Sequence, residues 1–153
     1  MKIRKAKLED AKIISVLRKA TFELVNSKEY NSLQVKDLID NSNLDKMIEK
    51  IRSREMFCLV DGRKILGAVD LDGDKIAGVV IRKNYLRRGI GTKLMNFIED
   101  YAKKKGLKKV KLFSTPLAVL FYQGLGYKKI KEVSSSTTKG VYLPTYKMEK
   151  ILK

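Results

Sequence analysis

The chain has 153 residues, 44% of them hydrophobic, enough for one domain with a buried core and too many for a disordered chain. No apolar run is long enough to cross a membrane, and the opening MKIRKAKLED lacks the apolar stretch of a secretion signal. The one cysteine, Cys58, lies in MFCLVD and reads as a buried, inert thiol; together these points favour the cytoplasm. Histidine is absent, which removes histidine bases and argues against a zinc site. Lys and Arg number 34 against 17 Asp and Glu, a formal net charge of +17. Such an excess attracts nucleic acid or ribosome, but the lysines scatter along the chain, and a solvated basic surface is the favoured reading.

Lys2 to Lys7 alternates apolar and basic residues and reads as a short strand. Leu8-Glu9-Asp10 opens a helix with its acids where the helix dipole favours them. Ile13, Leu17, Phe22 and Leu24, with Ile14 and Val25, supply its apolar face. Asn26 to Leu33 is polar and turn-rich. Helical patterns follow over about Val35 to Ile39 and Leu44 to Ile51. Phe57 to Val60, Ile65 to Leu71 and Ile76 to Ile81 read as three strands of an antiparallel meander, joined at Asp61-Gly62 and Asp72-Gly73. A helix carrying Leu94, Met95, Ile98, Tyr101 and Ala102 on one side comes next, ending at Lys103 to Lys105 and Gly106. Val110 to Phe113 is a strand, Pro116 starts a short helix through Gln123, and Tyr127 to Val133 and Val141 to Met148 form a closing pair. Ser134 to Lys139 is read as the polar loop between them. There is no internal repeat and no domain boundary.

Between the third strand of the meander and the long helix stands Tyr85 to Met95, YLRRGIGTKLM. Strand, basic glycine turn and helix in that order make an anion site: the first helical amides have no intrahelical partner, and Arg87 and Arg88 add charge. A P-loop would need Lys directly after Gly91, where Thr92 stands. The dinucleotide fingerprint would need a glycine where Leu94 stands. The frame Leu86-Arg87-Arg88-Gly89-Ile90-Gly91 resembles instead the pyrophosphate loop of the GNAT superfamily of N-acetyltransferases, with Leu86 in place of the family's Arg or Gln. A second segment, FYQGLGY from Phe121 to Tyr127, resembles that family's second motif, in the family's order and separation. The tail Gly140 to Lys150 is similar to small prokaryotic members, so the resemblance covers essentially the whole chain.

The resemblance implies one α/β domain over residues 1–153, a mixed, mostly antiparallel central sheet flanked by helices. It implies acetyl-CoA as co-substrate and direct acetyl transfer to an amine of a small molecule or a protein. Pyrophosphate would be held at Arg87, Arg88, Gly89, Ile90, Gly91 and Thr92, and pantetheine along the strand backbone at Val79, Val80 and Ile81. Tyr122 would protonate the departing thiolate. Many relatives carry a glutamate base on this strand; Ile76 to Ile81 has none. Asp70, on the preceding strand and the same face as Leu66 and Ala68, is the substitute candidate, against a plain reading as a strand-end acid or a water chain to solvent. A CoA-binding or ribosome-associated module with little turnover is the alternative function. The acceptor and the acyl chain length stay open, as does a homodimer; no membrane partner is expected.

Overall fold

A computed structural model describes residues 1–25, 30–136 and 142–153; for residues 23–25, 134–136 and 142–143 it describes the backbone alone. The expected mixed, mostly antiparallel sheet flanked by helices is present. Strand β1 (Lys2–Lys5) leads through a single 3-10 turn at Leu8–Asp10 into α1 (Ala11–Val25), followed by α2 (Ser32–Asp40) and α3 (Leu44–Ser53). The meander β2 (Glu55–Asp61), β3 (Lys64–Asp72) and β4 (Lys75–Ile81) precedes α4 (Ile90–Lys104). Then come β5 (Lys109–Ser114), α5 (Val119–Gly124), β6 (Lys128–Ser136) and β7 (Tyr142–Ile151). The seven strands form one sheet in the order β1-β2-β3-β4-β5-β7-β6.

Local chemistry explains several boundaries. Asp10 accepts from the Lys7 amide at 2.7 Å and from both terminal nitrogens of Arg4 at 2.7 and 3.0 Å, pinning the start of α1 to β1. The Arg4 guanidinium holds the Asp10 carboxyl below the usual carboxylate range. Helix α2 begins earlier than its hydrophobic pattern implies. Asn31 and Gln34 form a reciprocal capping box at 2.8 and 2.9 Å, which makes Ser32 the first helical residue. The loop expected at Ser134 to Lys139 is partly strand: Ser134 to Ser136 pair with Pro144 to Tyr142. Residues 137–141 lie outside the described residues.

The sheet separates two cores. Ile90, Leu94, Met95, Ile98 and Ala102 of α4 pack on one face against Phe57, Val69, Leu71 and Val110. On the other face Ala11, Ile14 and Leu17 of α1 and Met47 of α3 pack against Met56, Cys58, Ala68 and Val80. Cys58 is fully buried there, and burial pushes its thiol up to about 12. Two expectations about faces are corrected. Ile13 is 42% exposed; the buried stripe of α1 centres on Ala11 and Ile14. Leu66 does not share a face with Asp70, because the β2–β3 register slips there: Leu59 pairs with Gly67 and Val60 with Ile65, leaving Leu66 as a bulge residue packed on the α4 side.

What positions the site is a break in the sheet. Strands β4 and β5 run parallel and share one register pair, Lys75 with Lys111, supported by the Lys111 amide donating to Asp74 at 3.0 Å. Beyond that pair they splay apart. Arg82 donates its amide to Leu66 at 2.7 Å, and a Cβ added to Gly67 would meet the Val80 carbonyl at 2.7 Å, so Val80 and Arg82 face β3. Strand alternation then turns the amides and carbonyls of Val79 and Ile81 into the gap.

Candidate active site

The gap holds two adjoining cavities. The loop cavity, about 450 Å³, lies at the head of α4 between Val79, Ile81, Arg87, Gly89 to Thr92 and Phe121. Gly89, with φ of 78°, caps α4 in the left-handed conformation, and Arg87 before it also has a positive φ of 61°. These two turns aim the free amides at the start of α4 into the cavity. Gly91 is a close approach: a Cβ there would stand 3.1 Å from the Phe121 ring and 3.2 Å from Ile81 Cδ1. The side chain of Ile90 is buried in the core, which leaves its amide as its contribution. The two arginines part company. Arg87 lines the cavity, whereas Arg88 lies over the Tyr85 ring, 5.0 Å from its centroid. Lys83 lines the cavity too, a cation the motif does not include.

The inner cavity, about 460 Å³, opens beneath α1 and is lined by Arg18, Thr21, Gly78, Ser114, Thr145 and Tyr122, among others. Thr21, Val79 and Tyr122 line both cavities and so mark where they meet. Because the gap runs through the sheet, Arg18 from the α1 layer and Tyr122 from the α5 layer reach the same space. Tyr122 packs edge-on against Phe121 and Tyr127, at centroid distances of 5.1 and 5.9 Å. Burial pushes its phenol up to about 12, against the opposing charge of Arg18, so it is protonated at neutral pH. The structure therefore brings Tyr122 to the loop and to Val79 and Ile81. Val80 differs from its two neighbours: it lines the inner cavity, but its polar backbone is turned to β3 and its side chain packs in the α1 core.

Asp70 does not reach either cavity wall. It is buried behind Gly78, and Arg54 Nη1 donates to its Oδ2 at 3.0 Å. Arg54 also meets Asp72 at 3.6 Å. Lys50 sits beside this cluster, and burial, with Arg18 and Arg54 adding repulsion, lowers its amine to about 8. Arg18 is the residue sequence reading missed. A signal existed: Arg18 falls at i+4 from Ile14 and one residue after Leu17, inside the buried face of α1.

A family model described as an acetyltransferase (GNAT) domain matches residues 26–152. Solved structures with the same fold include a GCN5-related N-acetyltransferase from Rhodopseudomonas palustris, at 21% identity and TM-score 0.93, covering 99% of this chain and 95% of that one. PaiA N-acetyltransferase from Thermoplasma acidophilum, solved with coenzyme A, matches at 17% identity and TM-score 0.77 over 98% of both chains. YncA from Salmonella typhimurium, solved with acetyl-CoA, matches at 15% identity and TM-score 0.72, covering 99% of this chain and 94% of that one. The chain belongs to the GNAT acetyltransferase family.

Proposed function

We propose that the protein transfers acetyl from acetyl-CoA directly to the amine of a small molecule. The observation that carries this reading is the meeting of the loop cavity and the inner cavity at Thr21, Val79 and Tyr122. The amides of Ile90, Gly91 and Thr92 bind the pyrophosphate, with Arg87 and Lys83 supplying charge. The pantetheine amides pair with Val79 and Ile81 along the open edge of β4. An amide of that edge donates to the thioester oxygen as it gains negative charge. The acceptor occupies the inner cavity, whose volume of about 460 Å³ suits a small ligand.

The neutral amine nitrogen attacks the thioester carbon, the carbon–sulfur bond breaks, and Tyr122 gives its proton to the leaving thiolate. Two cations, Arg18 and Lys75, line the inner cavity. Their field lowers the pKa of an acceptor ammonium and favours the neutral amine needed for attack. The amine proton leaves through water in the cavity, and by the same water a proton returns to the Tyr122 phenolate. Asp70, held by Arg54 behind Gly78, serves as a positioning charge for the arginines rather than as the base in contact with substrate.

A thiol-release assay with acetyl-CoA over a panel of small primary amines tests the proposal. Amine-dependent release with a matching acetylated product is expected. A folded protein that binds acetyl-CoA yet acetylates no amine in the panel would sink it.

A further inference from the structure

Arg18 makes no hydrogen bond or ion pair among the described residues, although its half-buried side chain lies between α1 and β4. Its Nε is covered from solvent and has no partner. The guanidinium stacks near Phe22, 5.6 Å from the ring centroid, and lies across β4 at Gly78. A Cβ at Gly78 would be 2.5 Å from Arg18 Nη1 and 2.9 Å from Asp70 Oδ1, so the bare glycine is what leaves room for the group. Asp70 is nearby but committed to Arg54 at 3.0 Å. A guanidinium partly withdrawn from water, with its Nε covered and unpartnered, carries a desolvation cost that an anionic partner in hydrogen-bond contact offsets.

The described lining of the inner cavity contains Arg18 and Lys75 and no carboxylate. A cavity of this charge repels polyamines and other polycations, which need acidic walls. A planar guanidinium fork matches the two oxygens of a carboxylate or of a phosphate.

We infer that the acceptor amine carries an anionic oxygen group, and that Arg18 binds this group while the amine points toward Tyr122 and the thioester. The inference rests on the acetyl-transfer reading for its chemistry, but the anion site itself can be tested without turnover.

The test uses matched amines that differ in one group. Glycine and β-alanine are compared with their amides, phosphoethanolamine with ethanolamine, and spermidine serves as the cationic control. Steady-state thiol release is measured for each. In parallel, calorimetry follows binding of the same compounds to protein saturated with CoA. The anionic member of a pair is expected to have at least about tenfold higher kcat/KM and tighter binding. The carboxylate and phosphate arms show which oxyanion is preferred. Arg18→Gln should erase the preference through a higher KM for the anionic member, with the thermal shift by acetyl-CoA close to wild type, and Arg18→Lys should restore part of it. Anionic preference in binding without turnover would keep the anion site and reject the transfer reading. Equal binding of charged and neutral partners, binding of none of them, or a preference that survives in Arg18→Gln, would overturn the inference. Should Arg18→Gln fail to fold, Gly78→Ala, which pushes the guanidinium aside, must weaken the same preference.

Discussion

The loop cavity draws most of its wall from one short stretch, Val79 to Thr92: the open edge of β4, the turn before α4, and the head of α4. The inner cavity is walled by side chains from α1, β4, β5, α5 and β7, far apart in sequence. A site made of amides needs few particular residues, only glycines where side chains would intrude, and those glycines fall close together in one stretch. A site made of converging side chains has no such local record. The first kind fixes what every member of a family can bind, and the second leaves the bound partner free to differ.

That contrast predicts that substitutions in the two regions have separable effects. The largest is Gly91→Glu. Its Cβ already crowds Phe121 and Ile81, and a carboxylate would sit where phosphate charge is expected. Acetyl-CoA at a hundred times its Kd stabilises a protein by roughly 2.7 kcal/mol. Differential scanning calorimetry should show that this rise in Tm is lost in a folded Gly91→Glu variant. An unchanged rise would mean the loop cavity is not where the co-substrate binds.

Next in size is Tyr122→Phe, at the junction. It removes a proton donor without altering the ring packing on Phe121 and Tyr127. General acids contribute about a hundredfold or more. Turnover and kcat/KM should fall together by about that factor, with acetyl-CoA affinity by calorimetry unchanged. Wild-type turnover under chemistry-limited conditions would return Tyr122 to the core.

Asp70→Asn tests the region behind the inner cavity. It weakens the hold on Arg54 and leaves Arg18 without its nearest described counter-charge. A stability loss of roughly 1–3 kcal/mol is expected in urea unfolding, together with a higher KM for the acceptor. The shift produced by acetyl-CoA should persist. An activity loss in kcat alone, with an altered pH profile, would instead make Asp70 the base.

The smallest effect belongs to Lys50. A lysine whose folded pKa is lowered to about 8 from its ordinary 10.5 binds its proton less tightly when folded than when unfolded. It therefore costs stability below pH 8, and the cost is lifted as pH rises from about 8 toward 10.5. Lys50→Met should raise Tm modestly at pH 7, and the gain should shrink above pH 8. A gain independent of pH would assign the effect to packing.

The same division governs how much could be read from the sequence. The meander was legible because Asp61 pairs with Lys64 and Asp72 with Lys75 across two-residue turns that contain glycine. The loop before α4 was legible because its spacing is local. The start of α2 was missed because Asn31 and Gln34 act through capping rather than through hydrophobic period. Nothing in the sequence singles out Glu99. It is buried because Tyr127 donates to it at 2.9 Å and Lys150 at 2.7 Å, partners 28 and 51 residues away. For Arg18, spacing within α1 marks its place on the buried face but does not encode the bare position on β4 on which its role depends.

The single rung between β4 and β5 has a mechanical consequence. With Lys75 and Lys111 as their one shared pair, β4 and β5 leave the rest of their facing edges unpaired. A ligand whose own amides bridge the open side would act as a temporary strand and stiffen the joint. Hydrogen–deuterium exchange should register this as slower exchange at the Val79 and Ile81 amides when acetyl-CoA is added. Val80, already facing β3, should not change. The protein would then be at its most rigid at the moment the thioester is held, and loosen as the free thiol departs.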